Sequence, residues 1–426
     1  MRGNWEVKKL DELCDIARGG SPRPIKEFLT DEPEGVNWIK ISDATASSKY
    51  IYETKQKIKP EGIRRSRLVH DGDFLLSNSM SFGRPYIMRT SGCIHDGWLV
   101  LGNISESLNH DYLYYFLGSP EAYQQFDDRA SGSTVRNLNI DLVRSVQILV
   151  PPIEDQKRIV AILDEAFAGI DTAIANTEKN LANARELFES YLNLVFTQRG
   201  DGWEDKELEE ITSKLGDGLH GTPKYTPDGE YHFINGNNLN DGVIEFKERT
   251  KKVSFEEFEK YKKELNERTV LVSINGTLGN VAFYNNEKVI LGKSACYFNL
   301  IDGVEKAFVK YVIQSPYFLS YAHREATGAT IKNVSLKSMR KFKVPLPSVE
   351  KQKELVVLLD GLSAETRRLE SIYQQKLNSL NELKQSLLQK AFSGELTAKP
   401  DILIDGNYSH PLSFPRSGVG MKTETL

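Results

Sequence analysis

Pro227-Asp228, followed after sixteen residues by Glu245-Phe246-Lys247, is the closest this sequence comes to a catalytic pattern. In metal-dependent nucleases, carboxylates so ordered hold Mg²⁺ and the lysine positions the attacking water. The pattern is permissive, and Asp228-Gly229 also reads as an ordinary turn. Other chemistries fail on spacing. Gly292-Lys293-Ser294 ends like a phosphate-binding loop, but Glu287 stands where its first glycine belongs. Pro151-Pro152 lies between Val150 and Ile153, so no Asn/Asp-Pro-Pro-aromatic motif for amino-methyl transfer is present. Seven histidines show no metal-ligand pairing at helical spacing.

Binding chemistry is better represented. Residues 49–67 hold Lys49, Lys55, Lys57, Lys59, Arg64, Arg65 and Arg67 against Glu53 and Glu61. A second stretch, 235–252, combines Asn235, Asn237 and Asn238 with Lys247, Arg249, Lys251 and Lys252. Such runs track phosphates, or are simply solvated faces. Asn78, Ser79, Ser81 and Arg84, with Asn275, Thr277 and Asn280, are amides, hydroxyls and a guanidinium suited to base edges. Loops 132–137 and 328–333, which contain Arg136 and Lys332, either donate to phosphate or only lead into the next element.

The elements that must position these groups occur twice. Residues 132–164 align without a gap to 328–360, at an offset of 196. Gly132/Gly328, Asn137/Asn333, Pro151/Pro347, Glu154/Glu350, Gln156/Gln352 and Lys157/Lys353 are identical. The offset persists upstream (75–87 over 271–283) and becomes 198 at Trp5-Glu6 over Trp203-Glu204. A constant register over so long a stretch means duplication. The first part of each unit reads as a mixed α/β globule, with strands at 37–41, 73–76, 85–88, 98–101 and 145–150, and helices at 111–117 and 309–314.

The second part reads as a long helix. Leu163, Phe167, Ile170, Ile174, Thr177, Leu181, Ala184, Phe188, Tyr191 and Val195 follow a 4-3 alternation. The counterpart runs through Leu355, Leu359, Leu362, Thr366, Leu369, Tyr373, Lys376, Leu380, Leu383 and Leu387. Glu154 and Asp155 after Pro151-Pro152, and Ser348 after Pro347, mark the helix starts; Gly200 to Gly202 and Gly394 mark the ends. The stripes predict an antiparallel coiled coil roughly 50 Å long, with a globule at each end and a pseudo-two-fold relation. A helical hairpin packed on one domain is the alternative. The expected division is 1–150, 151–199, 200–347 and 348–397, with 398–426 a tail lacking periodicity.

Composition sets the outer bounds. Hydrophobic residues are 39%, charged residues 27%, and mean hydropathy is −0.42, which suits a soluble globular chain of two or three domains. No apolar run approaches the ~20 residues of a membrane span. Cys14, Cys93 and Cys296 are too scattered for a disulfide framework or a zinc site, which points to the cytoplasm. Residues 1–150 hold 19 basic and 20 acidic side chains, and 200–350 hold 21 and 22. Neither globule is basic overall, so affinity for a polyanion must rest on one face of each.

The duplicated junctions VPPIEDQKRIVAILD and VPLPSVEKQKELVVLLD, the closing KAFSGEL and the Trp-Glu openings resemble the specificity subunit of type I restriction-modification systems. The second junction departs from the first at Ser348 for Pro152 and Glu354 for Arg158. The resemblance implies an α+β fold: two target-recognition domains, each reading half of a bipartite site in double-stranded DNA, separated by the coiled coil. It also implies two methyltransferase and two restriction/translocase subunits as partners, and no catalytic site on this chain. S-adenosylmethionine, ATP and Mg²⁺ would then belong to the partners. A nuclease and a coiled-coil adaptor that binds only proteins are the competing classes.

Overall fold

The computed structural model describes residues 5–45, 49–78, 83–130, 138–328 and 330–396. The chain divides into two compact units, Met1–Gly169 with Glu382–Leu426, and Ile170–Asn381. Each unit therefore combines a globule with parts of both long helices.

In the first unit Glu6–Lys9 pairs antiparallel with Gln147–Val150, the strand that feeds the first long helix. One five-stranded sheet runs in the order Asp15–Arg18, Trp98–Gly102, Phe74–Ser77, Pro85–Met88, Tyr50–Ile51. Its period-2 alternation is buried on both faces. Phe74, Leu76, Leu99 and Leu101 face a core that includes Tyr112, Phe116, Leu163 and Phe392. Leu75, Trp98 and Val100 face a second core with Ile39, Val69 and Tyr86. The other sheet runs Leu29–Thr30, Gln56–Ile58, Val36–Ile39, Gly92–Ile94, Arg67–Val69, with Val36–Ile39 and Gly92–Ile94 parallel. Strand 37–41 of the sequence reading ends sooner, because Asp43 accepts from the Lys40 N–H and turns the chain into the short helix Ile41–Thr45.

The second unit repeats the plan. Glu204–Glu207 pairs with Lys343–Leu346. One sheet runs Thr212–Asp217, Ala295–Leu300, Thr269–Ser273, Val281–Phe283, and the other runs Lys251–Val253, Tyr231–Ile234, Val289–Leu291. Tyr231–Ile234 and Val289–Leu291 are again parallel.

Both long helices are 45 residues, Ile153–Thr197 and Val349–Ser393. Ser348 Oγ accepts from the Lys351 N–H, and Gly394 follows the last turn at φ +81°, as the capping residues require. The helices pair antiparallel within each unit. In the second, Leu192 and Phe196 share a core with Leu355 and Leu359, and Arg185 Nε meets Glu370 Oε1 at 2.6 Å. In the first, Leu163 and Phe167 pack with Leu387, Leu388 and Phe392.

The seam differs from the strict 4-3 reading at its ends. Leu362 and Leu383 are exposed, while Ser363 and Leu388 are buried. An α-helix turns 3.6 residues, so a 3.5-residue register drifts by about 20° per heptad, and over the four heptads from Leu355 to Leu383 the inward position moves on by nearly one; Ser363 is buried earlier, where its Oγ accepts from the Arg367 guanidinium. Leu163 and Ile170 are buried; Phe167, Ile174, Leu181, Phe188, Leu369, Leu380 and Leu387 are half-buried; Leu359 is fully buried. Lys376 is exposed, and Leu377 beside it is half-buried.

A buried glutamine holds each helix start on its globule. Gln156 Oε1 accepts from the Asn109 N–H (2.7 Å), and its Nε2 donates to the Ser107 and Pro151 carbonyls. Gln352 repeats this with the Glu305 N–H and the Gly303 and Pro347 carbonyls. Tyr115 and Tyr311 then donate their hydroxyls to Asp164 and Asp360. The last turn of the second long helix closes the first unit, with Phe392 edge-on to Tyr112 and Phe116, and Phe196 meets Phe308 likewise in the second.

Candidate nucleic-acid interface

The basic run of the first unit folds onto the second sheet and its flanking turn. Lys57 lies in Gln56–Ile58 and Arg67 opens Arg67–Val69; Arg64 and Arg65 end the short 3₁₀ helix Pro60–Arg65 between them. Lys55, Lys59, Arg64, Arg65 and Arg67 are exposed and Lys57 is half-buried. Several are partly engaged. Lys59 Nζ donates to the Glu27 carbonyl, Lys57 Nζ to that of Pro33, and Arg67 Nε to that of Arg18. Arg84 is exposed, with its guanidinium over the Tyr86 ring.

In the second unit Asn237, Lys247, Arg249, Lys251, Lys252, Thr277 and Lys332 are exposed. Lys251 and Lys252 lie on the edge strand paired with Tyr231–Ile234. Asn275 Nδ2 donates to Asn333 Oδ1, and the Lys332 carbonyl accepts from the Gly276 N–H, so loops 275–277 and 330–333 are bound together.

Two amides are corrected. Asn78 is 3% exposed and gives its Nδ2 to the Asp96 carbonyl. Asn238 is 5% exposed; its Oδ1 accepts from the Asn235 N–H and its Nδ2 donates to the Glu245 carbonyl and Thr250 Oγ1. Neither presents an edge to a ligand, because burial required the backbone bonds they make. Ser79, Ser81, Arg136, loop 132–137 and the tail 398–426 lie outside the described residues.

The nuclease pattern does not assemble. Asp228 is exposed in the turn closed by Gly229 N–H to the Thr226 carbonyl. Glu245 accepts from Asn240 Nδ2, and Lys247 donates to the Asn237 carbonyl. Among the described residues, no three His, Cys, Asp or Glu side chains stand together to share a metal ion. The turn reading of Asp228-Gly229 holds.

The fold also gathers cations that no run contains. Asp96 accepts from Ser21 Oγ at 2.8 Å and lies 3.6 Å from the Arg23 guanidinium. Its carbonyl accepts from Arg18 Nε and Asn78 Nδ2. The Ser21 hydroxyl, aided by His95 and Arg23, holds the Asp96 carboxyl below the usual range. Arg18 and Arg23 thus meet at the Asp96 turn, where Arg67 Nε also reaches the Arg18 carbonyl. Residues 18–40 and 96 lie far apart in sequence; the antiparallel pairing of Asp15–Arg18 with Trp98–Gly102 and the parallel pairing of Val36–Ile39 with Gly92–Ile94 bring them together.

The profile described as Type I restriction modification DNA specificity domain matches residues 2–183 and again 200–381. The chain belongs to the type I restriction-modification DNA specificity family. The EcoBI specificity subunit of Escherichia coli is 22% identical over 447 residues, covering 96% of this chain and 90% of its own. A chain solved for the assembly and conformational transition of the type I R-M system superposes at TM-score 0.75 and 19% identity, covering 92% and 98%. The HsdS subunit from Thermoanaerobacter tengcongensis superposes at 0.55, also at 19% identity, covering 92% and 97%. The two matched segments of this specificity-family chain carry the repeat read from the junctions. Both matched structures share its fold.

Proposed function

We propose that this chain is the DNA-recognition subunit of a type I restriction-modification complex, each unit reading one half of a bipartite, asymmetric double-stranded site. One observation carries the reading: the two halves match a single specificity-domain family and keep the same glutamine clamp, yet differ in the chemistry they expose. One scaffold with two surfaces suits two different half-sites. Exposed lysines and arginines on each unit would meet phosphates and fix register, while Arg84, Asn237 and Thr277 would reach base edges. The near-balance of charge in each globule fits a subunit that depends on partners for much of its affinity.

Two methyltransferase and two restriction/translocase subunits are the proposed partners, docked through the paired long helices. The proposal puts S-adenosylmethionine with the former and ATP and Mg²⁺ with the latter, and assigns no cofactor or catalytic residue to this chain. No helix among the described residues is long and apolar enough to cross a membrane. Co-expression with the methyltransferase subunit, followed by mapping of methylated adenines, tests the reading. A single bipartite motif with a fixed spacer is expected, and methylation without a bipartite motif would overturn it.

A further inference from the structure

The first unit contains a pocket of about 460 Å³ that is separate from the exposed basic run but adjoins it. Trp38 and His95 line it, with Lys40 and Arg23 as cations and Pro22 and Ile25 among its apolar walls. Trp38 ends buried on Val36–Ile39, and His95 directly follows the parallel neighbour Gly92–Ile94. The Gly97 N–H donates to His95 Nδ1 at 2.9 Å, which places the ring proton on Nε2. Burial also lowers the affinity of His95 for a second proton. The imidazole therefore keeps its Nε2–H as a donor. Ser66 Oγ and the Gly20 N–H both donate to the Ile94 carbonyl, so the pocket abuts the turn that carries Arg64 to Arg67.

The second unit has different residues at the same place, and they crowd it. Its parallel pair aligns Phe233 with Ile290 and Ile234 with Leu291, as Trp38 aligns with Cys93 and Ile39 with Ile94. Asn238 accepts from the Asn235 N–H as Asp43 accepts from the Lys40 N–H. Asn235 thus stands at the position of Lys40, and Gly292 at that of His95. A Cβ on Gly292 would lie 2.2 Å from Asn235 Oδ1 and 2.9 Å from the Phe233 ring. The scaffold is shared, so the chemistry around this opening is set by the residues of the first unit.

We propose that this pocket binds one nucleotide, its phosphate held by Lys40 and Arg23 and its apolar part against Pro22, Ile25 and the Trp38 edge, with His95 Nε2–H donating to an acceptor. The size suits one small ligand and leaves no room for stacked base pairs. The nucleotide is either one displaced from the DNA stack or a free one; the first source rests on the DNA-recognition reading above.

The test uses the full chain with its methyltransferase subunit, in wild-type form and as R23A/K40A, whose side chains lie at the pocket rim. One arm titrates deoxynucleoside monophosphates, and the other compares a perfect duplex with the same duplex carrying one bulged nucleotide. Tryptophan fluorescence reports occupancy, and Trp38→Phe should remove the signal. Binding of monophosphates weakened about tenfold by R23A/K40A, the loss of roughly one charge-assisted hydrogen bond, supports a free nucleotide. A preference for the bulged duplex that R23A/K40A abolishes supports a DNA-borne one. If monophosphates do not bind and both duplexes bind equally to both proteins, the pocket proposal is overturned while DNA recognition stands. If no duplex binds, DNA recognition falls, and the monophosphate arm alone decides the pocket.

Discussion

Gln156 and Gln352 make the same three hydrogen bonds in their own units: one from a main-chain N–H, one to a loop carbonyl, and one to the proline carbonyl five residues back. Both are essentially inaccessible, at 0% and 1% exposure. Alanine at either site leaves a buried N–H and two carbonyls without that partner, so Gln156→Ala and Gln352→Ala should each cost about 2–4 kcal/mol. Urea unfolding of the chain measures this. A loss below about 0.5 kcal/mol, within the range of an ordinary surface change, would deny the clamps a structural role.

Asp241 sits between Lys310 Nζ at 3.2 Å and the Arg367 guanidinium, and so ties the hairpin Leu239–Asn240/Val243–Ile244 to the second long helix. Lys310 is buried, and its ammonium needs that carboxylate. Asp241→Asn should destabilise the second unit by about 1–2 kcal/mol, less than for a fully buried pair because the Asp241 side chain is 35% exposed. Hydrogen exchange at 239–244 should quicken alongside. Unchanged stability and exchange would mean the pair is ornamental.

The Cys14 thiol is pushed up to about 12, chiefly by burial and further by Asp15 and Asp11. An unfolded thiol ionises near its ordinary value of about 8.5. The folded thiol keeps its proton where the unfolded one loses it. Its share of stability is therefore whole below that ordinary value and declines as pH rises toward 12. Urea midpoints followed from neutral to alkaline pH should fall less steeply in Cys14→Ala than in the wild type. Identical slopes would refute this assignment.

The parts legible from sequence were those governed by local periodicity or by repetition. Pro151 and Ser348 mark helix starts because capping is a local matter, and the strand 85–88 is observed at Pro85–Met88. Asn78 and Asn238 were misjudged because an amide's composition does not reveal whether its bonds go to backbone or ligand. Leu383 turns outward because small departures in helical register accumulate over four heptads. The Asp96 cluster and the pocket beside Lys40 could not be read, since they depend on antiparallel and parallel strand pairs joining residues more than fifty apart.

Lys55 and Arg64 are exposed members of the first unit's basic run. Replacing both with alanine should weaken DNA binding by the assembled complex and lower the slope of log K against log salt by up to about 2, near one per lost phosphate contact. Filter binding or anisotropy across a salt series decides it. A parallel line at unchanged affinity would remove the run from the interface.

The central claim is that one chain carries two separate readers, and one exchange tests it most directly. Residues 1–150 are replaced by the corresponding domain of another family member, the chimera is co-expressed with the methyltransferase subunit, and methylated adenines are mapped. The account predicts a new sequence in one half of the motif, with the other half unchanged. A change in both halves, or in neither, would contradict it.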